Sequence, residues 1–211
     1  MKGKRKYTSI LNGIETRQRI NAIQKELFRK TIHMCAALVP LFLSFWYVPT
    51  MILLLLSLIV YSVAESLRYR GVEVPFISAI TSVAARKRDE NKFVLGPVTL
   101  VLGILFTAAL FPPIPATVGI LSLAFGDGLA SLIGKLWGHI KIPFTRGKTV
   151  AGSFSCFGAI FIATFCVTKN FEVALGCAIA GMIIELIPLK DFDNLLIPVA
   201  IASLCEFYFQ V

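Results

Sequence analysis

FGDGLASLIGKLWGHIKIPFTRGKTVAGS, residues 125–153, reads as a membrane helix, a basic loop and the start of a second membrane helix. Asp127 lies inside an otherwise apolar segment, and an ionisable group at membrane depth is costly enough to mark a functional site. Gly147, Lys148 and Thr149 then open the next apolar segment. There a lysine charge and the free N–H groups of a helix start would both stabilise a phosphate. The stretch implies phosphate chemistry at a membrane surface.

Composition supports the same environment along the whole chain. Of 211 residues, 56% are hydrophobic and 16% charged, against about a quarter charged in soluble domains. Apolar segments at 31–48, 51–67, 93–111, 114–134, 150–168, 171–188 and 195–211 approach or exceed the length that crosses a ~30 Å hydrocarbon core. They predict an all-α integral membrane protein of about seven transmembrane helices. The net charge of +9 is concentrated near the N-terminus, from Lys2 to Lys30. Basic residues also fill 68–92, 135–148 and 190–194, whereas the alternate loops hold Pro49, Pro112-Pro113 and Lys169-Asn170. The positive-inside rule therefore puts the N-terminus and these basic loops in the cytoplasm and the C-terminus outside, with the basic segment facing anionic lipid rather than nucleic acid.

Residues 1–30 read as a basic amphipathic segment and 31–211 as a single polytopic catalytic domain, with no cleaved targeting segment expected. Ile10, Ile14, Ile20, Ile23 and Leu27 approximate one helical face, and Phe76, Ile77, Ile80, Val83 and Ala84 repeat it after Pro75. Both predict interfacial helices along the cytoplasmic surface. The five cysteines lack CxxC or Cys/His spacing, which argues for packing residues rather than a zinc site.

On a helix, Asp127 and Ser131 share a face, and Gly126, Ala130, Gly134 and Gly138 form a small-residue ladder. Such a ladder admits a close helix, from this chain or from a second copy in a homodimer. The next loop carries Lys135, His139, Lys141, Arg146 and Lys148 without an acid, so it needs an anion, either lipid headgroups or a nucleotide triphosphate. It is not a Walker A loop, because Ile142 stands at the first glycine position. Later oxygen donors, Glu185, Asp191, Asp193 and Asn194, suit a magnesium ion shared with phosphates. Glu65 and Arg68, three apart, read as an ion pair or a site element. Arg29, Lys30 and His33 form a basic collar at the first span, or lie near phosphates or a lipid headgroup.

The ordered pieces KELFRKTIH (25–33), AESLR (64–68), DENKFVLGPVTLVLG (89–103, with Glu90), FGDGLASLIGKLWG (125–138), RGKTVAGS (146–153) and IIELIPLKDFDNLLIP (183–198) resemble the CTP-dependent lipid-alcohol kinases. That family includes dolichol, phytol and CTP-dependent diacylglycerol kinases and is related to phosphatidate cytidylyltransferases. The resemblance implies Mg²⁺-dependent transfer of the CTP γ-phosphoryl group to the hydroxyl of a membrane lipid alcohol. By matching position it implies roles for Arg29 and Lys30, for Asp127 as metal ligand or proton acceptor, and for Lys148, Glu185, Asp193 and Asn194. Ser131, Lys135, Arg146, Gly147, Thr149, Gly152 and Ser153 would surround the phosphates, while His33, Glu65, Arg68 and Glu90 have lipid-side or undefined roles. Ala151 stands where many relatives carry glutamate, so no role transfers to that position. A phosphatidate cytidylyltransferase and, from another class, a lipid transporter are the alternative readings.

Overall fold

The first apolar segment and the residues before it form one helix, α1 (Ile23–Phe45), tightened to a 3₁₀ turn at Ala36–Leu38. The computed structural model describes residues 17, 20, 21, 23–72, 74, 75, 81, 92–145 and 147–210. Among these, six further long helices follow: α2 (Tyr47–Tyr69), α3 (Gly96–Leu110), α4 (Pro113–Trp137), α5 (Val150–Thr168), α6 (Phe171–Leu186) and α7 (Asp193–Gln210). No strand is present among the described residues; the one bridge, Lys141 with Thr149, lies in the loop before α5.

Local chemistry sets the helix boundaries. Pro97 and Pro113 occupy the first turns of α3 and α4, where a missing N–H costs nothing. Thr149 caps α5, its hydroxyl accepting from Gly152 N at 3.2 Å. Asn170 caps α6 by accepting from the amides of Glu172 and Val173. Lys169 adopts a left-handed conformation between these two helices and turns the chain back.

Four helices, α1, α2, α4 and α5, are long and apolar enough to cross a membrane; α3 is a shorter apolar helix. The seven helices coincide with the seven apolar segments, but seven crossings are more than these four establish. Only 11% of the apolar window of α2 is buried, against 61% for α4. The lipid-facing wall is therefore α2, and α4 is the central helix. Phe45, Leu53, Leu56 and Val63 are among the exposed apolar side chains of α1 and α2, a surface too extensive for water. Around α4 the core is filled by Val118, Ile120, Leu123, Ile160, Ile197 and Ile201.

Helix ends are tied in register by polar contacts. Val94 N donates to Glu65 Oε1 at 2.8 Å, while Arg68 donates to Glu65 and to the Lys92 carbonyl. Asn194 Nδ2 donates to Thr99 Oγ1 at 3.1 Å, and at the opposite end Tyr47 donates to the Ala108 carbonyl. The start of α1, the ends of α2, α4 and α6 and the starts of α3, α5 and α7 thus gather on one face. The small-residue ladder is consumed within this fold. A Cβ at Gly152 would lie 2.7 Å from the Ala130 carbonyl, and one at Gly134 would lie 2.9 Å from Thr149 Oγ1. These residues serve α4–α5 packing inside one chain, and Gly138 lies just past the end of α4. The 76–84 interfacial segment, Ile10 and Ile14 fall outside the described residues, Thr81 excepted; Ile23 and Leu27 belong to the first turns of α1.

Candidate functional site

The centre of the site is a defect in α4. Residues Ser122–Asp127 form a π-helical stretch before α-helical geometry resumes at Gly128. Such bulges shift the side-chain register and are frequent at functional sites. This one ends on Asp127, which is 7% exposed and bonded to the Lys30 ammonium from α1. His33 Nδ1, one turn further along α1, is 3.4 Å from the same carboxylate oxygen. Lys30 is itself 2% exposed, so the two charges compensate each other in a dry environment.

The loop from Gly138 to Thr149 folds as a short hairpin. Ile142 N donates to the Lys148 carbonyl at 2.9 Å, and Val150 N to the Ile140 carbonyl at 3.0 Å. Gly147 has φ +96°, a conformation that side-chain-bearing residues rarely adopt. Its turn returns the chain to the start of α5 and leaves Lys148 Nζ 2.9 Å from Glu185 Oε1 at the end of α6. Ser153, on the first turn of α5, lies 3.5 Å from the other Glu185 oxygen. A third pair lies beside these: Glu26 is 4% exposed, accepts from Ser131 and from Lys135 Nζ at 2.5 Å, and is also paired with Arg29.

Together these groups surround a 390 Å³ cavity, within the usual range for a small-molecule site. Of the residues singled out from sequence, Asp127, Ser131, Lys135, Gly147, Lys148, Thr149, Gly152, Glu185 and Asp193 line it. Lys30 and Ser153 stand directly behind, bonded to Asp127 and Glu185. Thr149 caps α5 by accepting from Gly152 N, which leaves its own O–H able to donate at the cavity wall. Arg29, His33 and Asn194 instead line a second, smaller cavity. Glu65 and Arg68 line neither cavity; they fasten α2 to the start of α3. Glu90 and Arg146 lie outside the described residues.

Sequence reasoning passed over Glu26, Thr145 and Lys190, all of which line the larger cavity. Glu26 did leave a signal: it is the acid within the basic run KELFRK, three and four residues before Arg29 and Lys30. Among the described residues no three metal-binding side chains converge into a protein-only metal site. Asp127, Glu185 and Asp193 nevertheless face one cavity, and magnesium ordinarily takes one or two carboxylates together with phosphates and waters. The donor set fits an ion that arrives with a polyphosphate.

The chain is 30% identical over 201 residues to "Probable phytol kinase 2, chloroplastic" of Glycine max. It is 28% identical over 212 residues to "Probable phytol kinase, chloroplastic" of Zea mays and 29% over 197 residues to "Phytol kinase" of Synechocystis sp.. These matches cover 84%, 84% and 89% of this chain, and 64%, 65% and 82% of those proteins. The chain thus spans just under two thirds of the length of the two plant relatives. No family model matches it, and no solved structure is significantly similar. The matches cover most of this chain and support its membership of the family of lipid-alcohol kinases that includes the phytol kinases.

Proposed function

We propose that this protein transfers the γ-phosphoryl group of CTP to the hydroxyl of a membrane-embedded isoprenoid alcohol of the phytol or polyprenol type. The observation that carries this reading is the cavity in which Asp127, Glu185, Lys135 and Lys148 meet at one end of an apolar helix bundle. Phosphoryl transfer depends chiefly on alignment and charge neutralisation, and this cavity offers cations and carboxylates on opposing helix ends. In the reaction the alcohol oxygen bonds to the γ-phosphorus, the bond from that phosphorus to the β–γ bridging oxygen breaks, and CDP leaves. Lys148 and Lys135 hold phosphate oxygens, exchanging their carboxylate partners for the nucleotide. The α5 amides around Gly152 add partial positive charge at the same place.

Asp127 either takes the hydroxyl proton or, with Glu185 and Asp193, supplies carboxylate oxygens for Mg²⁺. When bound, the ion would neutralise charge on the polyphosphate. Lys30 holds Asp127 ionised and oriented, and Ser153 does the same for Glu185. The seven helices cross the bilayer as seven spans, with the cavity on the cytoplasmic side. The relatives' phytol kinase names support the kinase class, and the near-balance of charges in the cavity supports a nucleotide that brings its own divalent cation.

Purified protein in lipid nanodiscs, given CTP, ATP or GTP with Mg²⁺, should release nucleoside diphosphate only when phytol or a polyprenol is added, and fastest from CTP. Nucleotide turnover independent of alcohol would contradict the reading. Orientation has its own check: Lys141, exposed on the hairpin, replaced by cysteine in a cysteine-free background, should react with an impermeant thiol reagent only from the cytoplasmic side. Modification from the opposite side would invert the proposed topology.

Lys148→Ala should raise the nucleotide KM while leaving the fold intact, because this side chain is 23% exposed at a wet helix start. Loss of one charge-assisted contact is worth ~1.5–3 kcal/mol, roughly tenfold to over a hundredfold. Wild-type nucleotide kinetics in the variant would remove Lys148 from the site.

A further inference from the structure

The second cavity is apolar along most of its wall and polar at one end. It lies among α1, α2, α3 and the start of α7, lined by Ile32, Tyr61, Pro97 and Leu100, with Arg29, His33, Asp191 and Asn194 among its polar groups. Arg29 is paired with Glu26 and His33 Nδ1 lies 3.4 Å from Asp127 Oδ2, and both carboxylates face the larger cavity. The wall between the cavities is therefore two carboxylates with basic partners, Glu26 and Asp127 facing the larger cavity and Arg29 and His33 the smaller.

We infer that this second cavity is the acceptor site, seating the hydroxyl end of an isoprenoid alcohol against His33 and Arg29, with Asp127 in reach across the partition. The inference rests on the kinase reading above and adds where the acceptor binds. Its volume is 70 Å³, a little over two waters' share of liquid. That room admits a hydroxyl and the first few carbons, so the rest of the chain lies outside. Ile32 is 40% exposed at the cavity's edge, and the neighbouring surface of α2 is apolar and bare. The tail consequently runs along α1 and α2 in the bilayer. The site reads the alcohol end and is nearly indifferent to tail length.

Gly96, the first residue of α3, offers a direct test, because it lines this cavity and a Cβ there meets nothing within 4 Å. Gly96→Leu fills the acceptor seat without displacing backbone. The probe is a phytol analogue with a diazirine within a few carbons of the hydroxyl, photolysed in nanodiscs with wild type and Gly96→Leu, the adducts being mapped by peptide mass spectrometry. Adducts should fall on Ile32, Tyr61 or Leu100 and be lost in Gly96→Leu, whose KM for phytol should rise about tenfold or more with nucleotide affinity unchanged. Phytol and a longer polyprenol should compete comparably for the label.

A wild-type enzyme that phosphorylates phytol but takes the label elsewhere overturns the acceptor site and leaves the kinase reading intact, as does an unchanged phytol KM in folded Gly96→Leu. Label in this cavity without phosphorylation of any alcohol overturns the kinase reading and leaves a lipid-alcohol site. Should Gly96→Leu fail to fold, the wild-type adduct map decides.

Discussion

Asp127→Asn is expected to lower lipid phosphorylation by at least about a hundredfold in a protein that still inserts and folds, with reduced thermal stability because the buried Lys30 loses its counter-charge. Asparagine keeps the size of the side chain but removes the anionic oxygen. Both tasks assigned to Asp127, accepting a proton and offering a carboxylate to magnesium, require that oxygen, and losses of ~10² or more are usual when a positioned acid–base group is removed. A side chain that served packing alone would tolerate the change, and insertion would become easier. Initial rates at saturating Mg²⁺ and CTP, with size-exclusion and thermal-unfolding profiles from the same preparations, separate these cases. Retention of more than about a tenth of wild-type activity in a folded variant would make Asp127 structural.

Lys30→Met should be the most destabilising single change at the site. Lys30 is 2% exposed and bonded to Asp127, so its removal leaves a buried carboxylate without its cation. Breaking one member of a buried pair costs ~3–5 kcal/mol, whereas replacing both members with neutral groups is often nearly neutral. The double variant Lys30→Met/Asp127→Asn should therefore recover most of the lost stability and none of the activity. Thermal unfolding of wild type, both single variants and the double variant closes the cycle. Additive losses would show that the two residues act independently and would remove Lys30 as the group that holds Asp127.

The helices were legible in the sequence because lipid burial leaves a simple signal: seven long apolar segments, bounded by Pro97, Pro113, Thr149 and Asn170. Lys148 and Glu185 were legible as site candidates because charges are rare in such a chain. Three features were not legible. The π stretch at Ser122–Asp127 packs against α5 and α7, and Asp127 marks a charge there but not a change of helical geometry. The pairing of cations with acids, Lys30 with Asp127, Lys135 with Glu26 and Lys148 with Glu185, spans 37 to 109 positions in the chain. Local periodicity carries no information at that range. Glu26 was missed for the same reason, since its partners Ser131 and Lys135 lie more than a hundred positions away. Glu65 and Arg68 show the converse: their spacing marked an ion pair, and the structure forms that pair and uses it to hold Val94 and Lys92.

The central claim is that the γ-phosphoryl group of CTP passes to a lipid hydroxyl. The most direct measurement is label transfer by purified protein in nanodiscs containing phytol, comparing CTP labelled at the γ-phosphorus with CTP labelled at the α-phosphorus. The account predicts γ-label in the organic phase as phytyl phosphate, α-label retained in water as CDP, and neither transfer in Asp127→Asn. Entry of the α-label into lipid with release of pyrophosphate would make the protein a cytidylyltransferase, and absence of both labels from lipid would contradict the account altogether.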